Sequence, residues 1–323
     1  MKERAITFTS GTFTSGTFTS AAQEFAGTLC TPGGADPTPG VLLLSGSGPL
    51  DRDGNHRHLP LGIARQLAWA LADRGVTTLR YDKRGVGGSP GDWRAAGLTD
   101  NVADAEAALQ LLCSRPEVRR SVVFVAGHSE GAVLAAAVAA RHPGLAGLVL
   151  LCGAARSGEQ VLLWQAAQIV PGLPLPARSI VRLLRVDPVA KVAASHTKVK
   201  ATTTDVARIG GARVNARWFR EYLSHDPSAD LSRVTAPVLA VTGTKDLQVP
   251  PDDLSAIASA AGGRVETHLV NGLTHTLRIQ RAAPSLRLYR SEVRRPVAAE
   301  VLQLVTDWVT RQARQTRPTL DDA

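Results

Sequence analysis

Long apolar runs are missing from this sequence: no stretch of its 323 residues reaches the roughly 18 uncharged apolar residues that a membrane span needs. The charged start Met1-Lys2-Glu3-Arg4 runs into Thr, Ser and Gly, not into the apolar core of a signal peptide. Cysteine is scarce as well. Cys30, Cys113 and Cys152 are too few and too scattered for a disulfide framework, and none has the paired spacing of a zinc site. The expectation is a soluble, cytoplasmic protein with no membrane span and no metal. Aromatic residues make up only 4% and are not interleaved with basic ones, so the net charge of +9, with arginines crowded between Arg178 and Arg220, is read as solvated surface. No nucleic-acid partner is expected.

A 44% hydrophobic and 20% charged composition suits a globular protein with a sizeable core. The chain opens with three Thr-Phe-Thr-Ser copies, at residues 7–10, 12–15 and 17–20, whose period is too short for a solenoid. Residues 1–24 are therefore set apart as a low-complexity segment or a pair of edge strands. From residue 40, short β-branched or aliphatic runs alternate with longer amphipathic ones. Strands are predicted at 41–45, 76–81, 122–126, 148–152, 238–242 and 264–270, and helices near 60–74, 99–113, 130–141, 252–261 and 297–312. This order predicts an α/β fold with a doubly wound, mainly parallel sheet, formed by residues 25–153 and 233–323. Between those halves, residues 154–232 read as helices broken by Pro171, Pro174, Pro176 and Pro188, with no convincing strand before Pro237. Such an inserted helical cap would enclose a pocket and exclude water. Within it, Trp164, Trp218, Phe219 and Tyr222 are candidate pocket residues, although core packing is the commoner role for any one aromatic at such a position.

Two Gly-x-Ser-x-Gly pentapeptides occur, and their surroundings distinguish them. Val122-Val123-Phe124-Val125-Ala126 leads straight into Gly127-His128-Ser129-Glu130-Gly131, and Ala132 to Val138 follows it. That pattern reads strand, sharp turn, helix, with glycines where Cβ atoms would collide. Ser129 is thus the candidate nucleophile, exposed at a helix N-terminus that favours developing negative charge. Ser89, in Gly87-Gly88-Ser89-Pro90-Gly91, is followed by proline and lies several residues beyond its strand, so it reads as a loop serine.

A serine nucleophile needs a base, and the base needs a carboxylate to fix its tautomer. Beyond Ser129, two strand ends supply them in the order Ser, acid, His. Asp246 follows Val238-Leu239-Ala240-Val241-Thr242 through a short loop, and His275 follows Val270-Asn271-Gly272-Leu273-Thr274. An oxyanion hole would draw one backbone N–H from Glu130 and the other from Ser47, in the loop Ser45-Gly46-Ser47-Gly48-Pro49-Leu50-Asp51-Arg52-Asp53.

Together these residues resemble the α/β-hydrolase superfamily, and more narrowly the bacterial esterases with a dienelactone-hydrolase-like core, whose oxyanion loop reads His-Gly-Ser-Gly-Pro before an Asp-Arg-Asp run. Asp82-Lys83-Arg84-Gly85-Val86-Gly87-Gly88-Ser89 is similar to a loop of the same superfamily. One departure stands out, since Ser45 occupies the position where relatives have His. The resemblance implies hydrolysis of a small carboxylic ester through an acyl-enzyme, without cofactor. Thioesterase, peptidase or acyltransferase chemistry would use the same triad, and a ligand-binding protein of the same fold would be the non-enzymatic alternative.

Overall fold

In the computed structural model, residues 1–10, 13–14, 17–18, 23–170, 183 and 187–316 are described. The prolines at 171, 174 and 176, the arginine at 178 and parts of the Thr-Phe-Thr-Ser segment lie outside them. Chain order gives β1 (Lys2–Ser10), β2 (Phe13–Thr14), β3 (Thr17–Phe18), β4 (Gln23–Thr31) and β5 (Thr38–Leu44). Helix α1 (Ile63–Ala72), β6 (Thr77–Tyr81), α2 (Leu98–Cys113), β7 (Val118–His128), α3 (Glu130–Ala139) and β8 (Gly147–Leu151) follow. After an insertion come β11 (Val238–Gly243), α8 (Asp253–Ala260), β12 (Val265–Val270), α9 (Tyr289–Glu292) and α10 (Ala299–Gln315).

One eight-stranded sheet has the order β1-β4-β6-β5-β7-β8-β11-β12. Its six strands from β6 to β12 are parallel, while β4 runs antiparallel to β6 and β1 antiparallel to β4. All six predicted strands and all five predicted helices are present, the ends differing by a few residues. Strand side chains alternate between faces, so one strand feeds two cores. On β7, Val123 and Val125 join the layer of α2, α3 and α8, whereas Val122, Phe124 and Ala126 join that of α1 and α10. Because both faces are covered, the strands read as near-continuous apolar runs. β4, which begins at residue 23, joins the sheet through β6, and β1 pairs along its outer edge. Phe8 on β1 stacks on Phe25 with ring centroids 5.2 Å apart and meets Tyr81 edge-on.

The insertion between β8 and β11 contains α4 (Gly158–Ile169), α5 (Pro188–Lys200), α6 (Ala216–Ser224) and α7 (Pro227–Leu231). It also contains a hairpin, β9 (Val206–Ile209) and β10 (Ala212–Asn215), where only helices are expected from the sequence. The cause is Gly210-Gly211, both at positive φ (58° and 83°), which form the two-residue turn that matches strand twist. Asn215 ends the hairpin and starts α6. Its Oδ1 accepts the Trp218 N–H at 2.9 Å, and its Nδ2 donates to the carbonyls of Trp93 and Ala96 at 2.8 and 2.7 Å, fastening the insertion to the main body.

Candidate active site

Parallel strands of an open α/β sheet converge their outgoing loops at one edge, and there the backbone, not the side chains, is the first thing fixed. Ser129 lies between β7 and α3 at φ 59° and ψ −123°, a strained conformation for a residue with a Cβ. Its N–H is held by the Leu151 carbonyl at 2.9 Å. The flanking glycines are obligatory: a Cβ on Gly127 would lie 1.9 Å from the Gly131 oxygen, and one on Gly131 would lie 2.2 Å from that of Leu44. Gly46 of the loop after β5 sits against Ser129, where an added Cβ would lie 3.3 Å from the serine Cβ.

The loops after β11 and β12 touch in the same way. Gly243 faces the Leu273 carbonyl so closely that a Cβ would stand 2.0 Å from its oxygen, and Lys245 N–H donates to that carbonyl at 3.0 Å. This contact sets Asp246 beside His275, whose Nδ1 lies 2.9 Å from Oδ2 and 3.1 Å from Oδ1. Gln248 and Val249 N–H groups add donors to Oδ1 at 2.7 and 3.0 Å. Burial acts to raise the pKa of Asp246, but His275 and the two amides outweigh it and hold the carboxyl below its ordinary value. The imidazole therefore has an ionised acceptor at neutral pH.

His275 is carried next to the Ser129 turn by its own backbone, since its carbonyl oxygen is 2.8 Å from His128 Nε2. No hydrogen bond joins Ser129 Oγ to His275 among the described residues. Such bonds are often long in a free enzyme and tighten with substrate. The His loop is locked by Arg278, whose buried guanidinium donates to the carbonyls of Thr276 and Leu61, both at 2.6 Å. Burial lowers the Arg278 pKa to about 10. Nothing in the sequence pattern distinguishes this arginine, because a side chain that joins a nearby carbonyl to that of Leu61, 217 residues away, leaves no local signal.

Ser47 and Glu130, the expected oxyanion donors, both border a cavity of about 360 Å³ and neither backbone N–H has a partner among the described residues. Lys83, Arg84, Asn101 and Arg213 also line it, with Trp218 and Phe219 from α6. Tyr222 is stacked on Trp218 at 4.6 Å behind the wall, and Trp164 is not part of the lining. A second, largely apolar cavity of about 640 Å³ shares Leu162, Val214 and Phe219 with the first and reaches Leu247 and Gln248 beyond Asp246.

Around the site, the Asp51-Arg52-Asp53 run serves as a set of fasteners. Asp51 Oδ1 accepts the N–H groups of Asp53 and Asn55 at 2.9 and 2.8 Å, Arg52 pairs with Asp82 at 2.5 Å, and Asp53 pairs with buried Arg80 at 2.8 Å. Ser89 is 4% exposed, and its hydroxyl donates to the Asp82 carbonyl at 2.8 Å while accepting the Ala26 N–H at 3.0 Å, a loop-closing role. As for metals, His128, Cys152 and His275 place ligand atoms within 4.8 Å of one another. They are engaged otherwise: His128 Nε2 with the His275 carbonyl and His275 Nδ1 with Asp246. Burial and then Asp246 push the Cys152 thiol well above its ordinary pKa.

Sheet order, the strand-turn-helix at Ser129 and the loop cluster at the strand ends are the architecture of an α/β-hydrolase. Residues 57–281 match the family model described as serine aminopeptidase, S33, and the chain belongs to that family. Among curated proteins it is similar to the esterase EstD of Thermotoga maritima, 28% identical over 254 residues, covering 78% of this chain and 57% of EstD. It is also similar to an uncharacterized protein of Mycobacterium tuberculosis, 31% identical over 231 residues, covering 71% of this chain and 64% of that protein. The aligned region thus spans less than two thirds of the length of either relative. Among solved structures, Est1E from Butyrivibrio proteoclasticus bound to ferulic acid superposes with a TM-score of 0.59 at 18% identity, covering 91% of this chain and 96% of that one, a likeness of fold.

Proposed function

We propose that the protein is a serine hydrolase cleaving a small carboxylic ester through Ser129, His275 and Asp246. The observation that carries this reading is the strained Ser129 turn packed against the oxyanion loop on one side and the His275 backbone on the other. His275 removes the Ser129 proton as the hydroxyl attacks the ester carbonyl, and the Ser47 and Glu130 N–H groups receive the developing oxyanion. The imidazolium then protonates the departing alcohol, and the same residue activates water against the acyl-enzyme. Asp246 keeps Nδ1 protonated and Nε2 free for both transfers. Residues 154–232 act as a cap, with Trp218 and Phe219 forming an apolar wall for the substrate.

The family description raises aminopeptidase chemistry, and the cavity argues for the ester. An aminopeptidase has to bind the α-ammonium of its substrate, for which a free carboxylate is the natural partner. Glu130 is the acidic side chain lining this cavity, and its oxygens are already taken by Trp218 Nε1 at 2.9 Å, Asn101 Nδ2 at 3.2 Å and Lys83 Nζ at 3.4 Å. Its charged neighbours on the lining, Lys83, Arg84 and Arg213, are cations. Fluorophosphonate labelling with peptide mapping tests the nucleophile, and an adduct is expected on Ser129. Turnover of p-nitrophenyl esters, acyl thioesters and aminoacyl anilides tests the bond; a preference for the anilide would overturn the ester assignment.

A further inference from the structure

At the start of the oxyanion loop, the Ser45 hydroxyl makes only a 3.4 Å contact with the Asp51 carbonyl among the described residues. Another group fastens the next residue. Lys83 is 9% exposed, and its ammonium donates to the Gly46 carbonyl at 2.5 Å. Gly46 C=O and Ser47 N–H belong to one planar peptide unit, and with no cis peptide among the described residues they point in opposite directions. Anchoring the oxygen therefore fixes the direction of the amide. The same ammonium lies 3.4 Å from Glu130 Oε2, the side chain of the residue that supplies the other candidate donor. One cation thus touches both halves of the hole.

Lys83 is itself held from both sides. Asp82 accepts from Arg52 N–H and Nη2 and from Gly88 N–H, at 2.7, 2.5 and 2.8 Å, and Arg84 forms a double hydrogen bond with buried Asp104 at 2.7 and 2.6 Å. With both neighbours fixed, the lysine stem has little freedom to wander.

We infer that Lys83 is the positioning residue of the oxyanion hole, orienting Ser47 N–H through the Gly46 carbonyl and taking over the loop support that Ser45 does not provide. The inference rests on the ester-hydrolase reading above. It assigns Lys83 no proton transfer and no bond to substrate.

Lys83→Met keeps the aliphatic stem and removes the donor. With a p-nitrophenyl ester, kcat should fall about 10- to 100-fold, less than or equal to the loss of a whole oxyanion donor, while KM changes less than about threefold. Affinity for a trifluoromethyl ketone, whose adduct with the serine is an oxyanion, should fall in parallel with kcat. Lys83→Met also leaves Glu130 Oε2 without its cation, so the double variant Lys83→Met/Glu130→Gln is needed. It should recover melting temperature but not kcat. Recovery of kcat in the double variant, or a kcat within twofold of wild type in Lys83→Met, overturns the inference. Fluorophosphonate labelling of wild type separates the two levels: if the wild type does not label at Ser129, the hydrolase reading fails. If it labels and Lys83→Met labels equally fast, only the role of Lys83 fails.

Discussion

Ser89 and Ser129 occupy the same pentapeptide pattern, yet their hydroxyls meet different surroundings. Ser89 satisfies two backbone groups between the start of β4 and the loop after β6, whereas Ser129 stands on a strained turn with open amides beside it. Ser129→Ala is therefore expected to abolish ester turnover. Ser89→Ala should leave kcat within about twofold and lower stability by about 1–2 kcal/mol, measured by denaturant unfolding, because two backbone groups lose their partner. His128 gives a pH signature. Burial first, then His275, lowers its pKa from the ordinary 6.5 to about 3. Between those values the unfolded chain takes up a proton that the folded one refuses, so this histidine contributes stability fully above pH 6.5 and loses it as pH falls toward 3. His128→Gln should flatten the stability loss between pH 6.5 and 4 by roughly 3 kcal/mol, read from urea midpoints at each pH. Asp246, also depressed, adds to the acid limb below the ordinary carboxylate range. Serine, acid and histidine were legible as candidates because each follows a strand end. The roles of Lys83 and Arg278 were not, since Lys83, although inside the Asp82–Ser89 run, reaches the Gly46 carbonyl 37 residues away, and Arg278 ties Thr276 to Leu61, 217 residues away.

Strand and helix positions followed from alternation and apolar content because burial on both faces imposes such uniform composition. In the insertion, reading for helix period hid the β9–β10 hairpin, although Gly210-Gly211 between two short β-capable runs carries its turn chemistry. Asn215 joins that hairpin, α6 and the main body with three hydrogen bonds. Asn215→Ala removes a helix cap, which costs about 1 kcal/mol by itself, and leaves the Trp93 and Ala96 carbonyls short of a donor. The expected result is faster limited proteolysis within residues 187–224 and a KM raised more than kcat is lowered. Unchanged digestion would mean that the insertion is held mainly elsewhere, for instance by Trp218 on Glu130.

At the level of the whole molecule, a sheet with parallel strands at its centre is bordered on one side by the antiparallel β4 and β1. β1 covers the β4 edge over nine paired residues and adds Phe8 to the Phe25 and Tyr81 contact. Removing residues 1–10 should expose that edge to pairing with other chains, seen as increased light scattering on heating and a lower melting temperature. No helix among the described residues is long and apolar enough to cross a membrane.

The Thr-Phe-Thr-Ser copies fall largely in the connection from Ser10 to Gln23, the two residues that close the β1–β4 ladder. Phe13–Thr14 and Thr17–Phe18 form their own two-stranded ladder, separate from the main sheet. A connection outside the sheet contributes to folding chiefly through loop-closure entropy, and doubling such a loop costs only about 0.6 kcal/mol. In genetic terms, in-frame gain or loss of one Gly-Thr-Phe-Thr-Ser unit is expected to be close to silent for the fold. Repeat number in this segment is expected to shift stability little, whereas the loops after β5, β7, β11 and β12 set the spacing of the groups around Ser129.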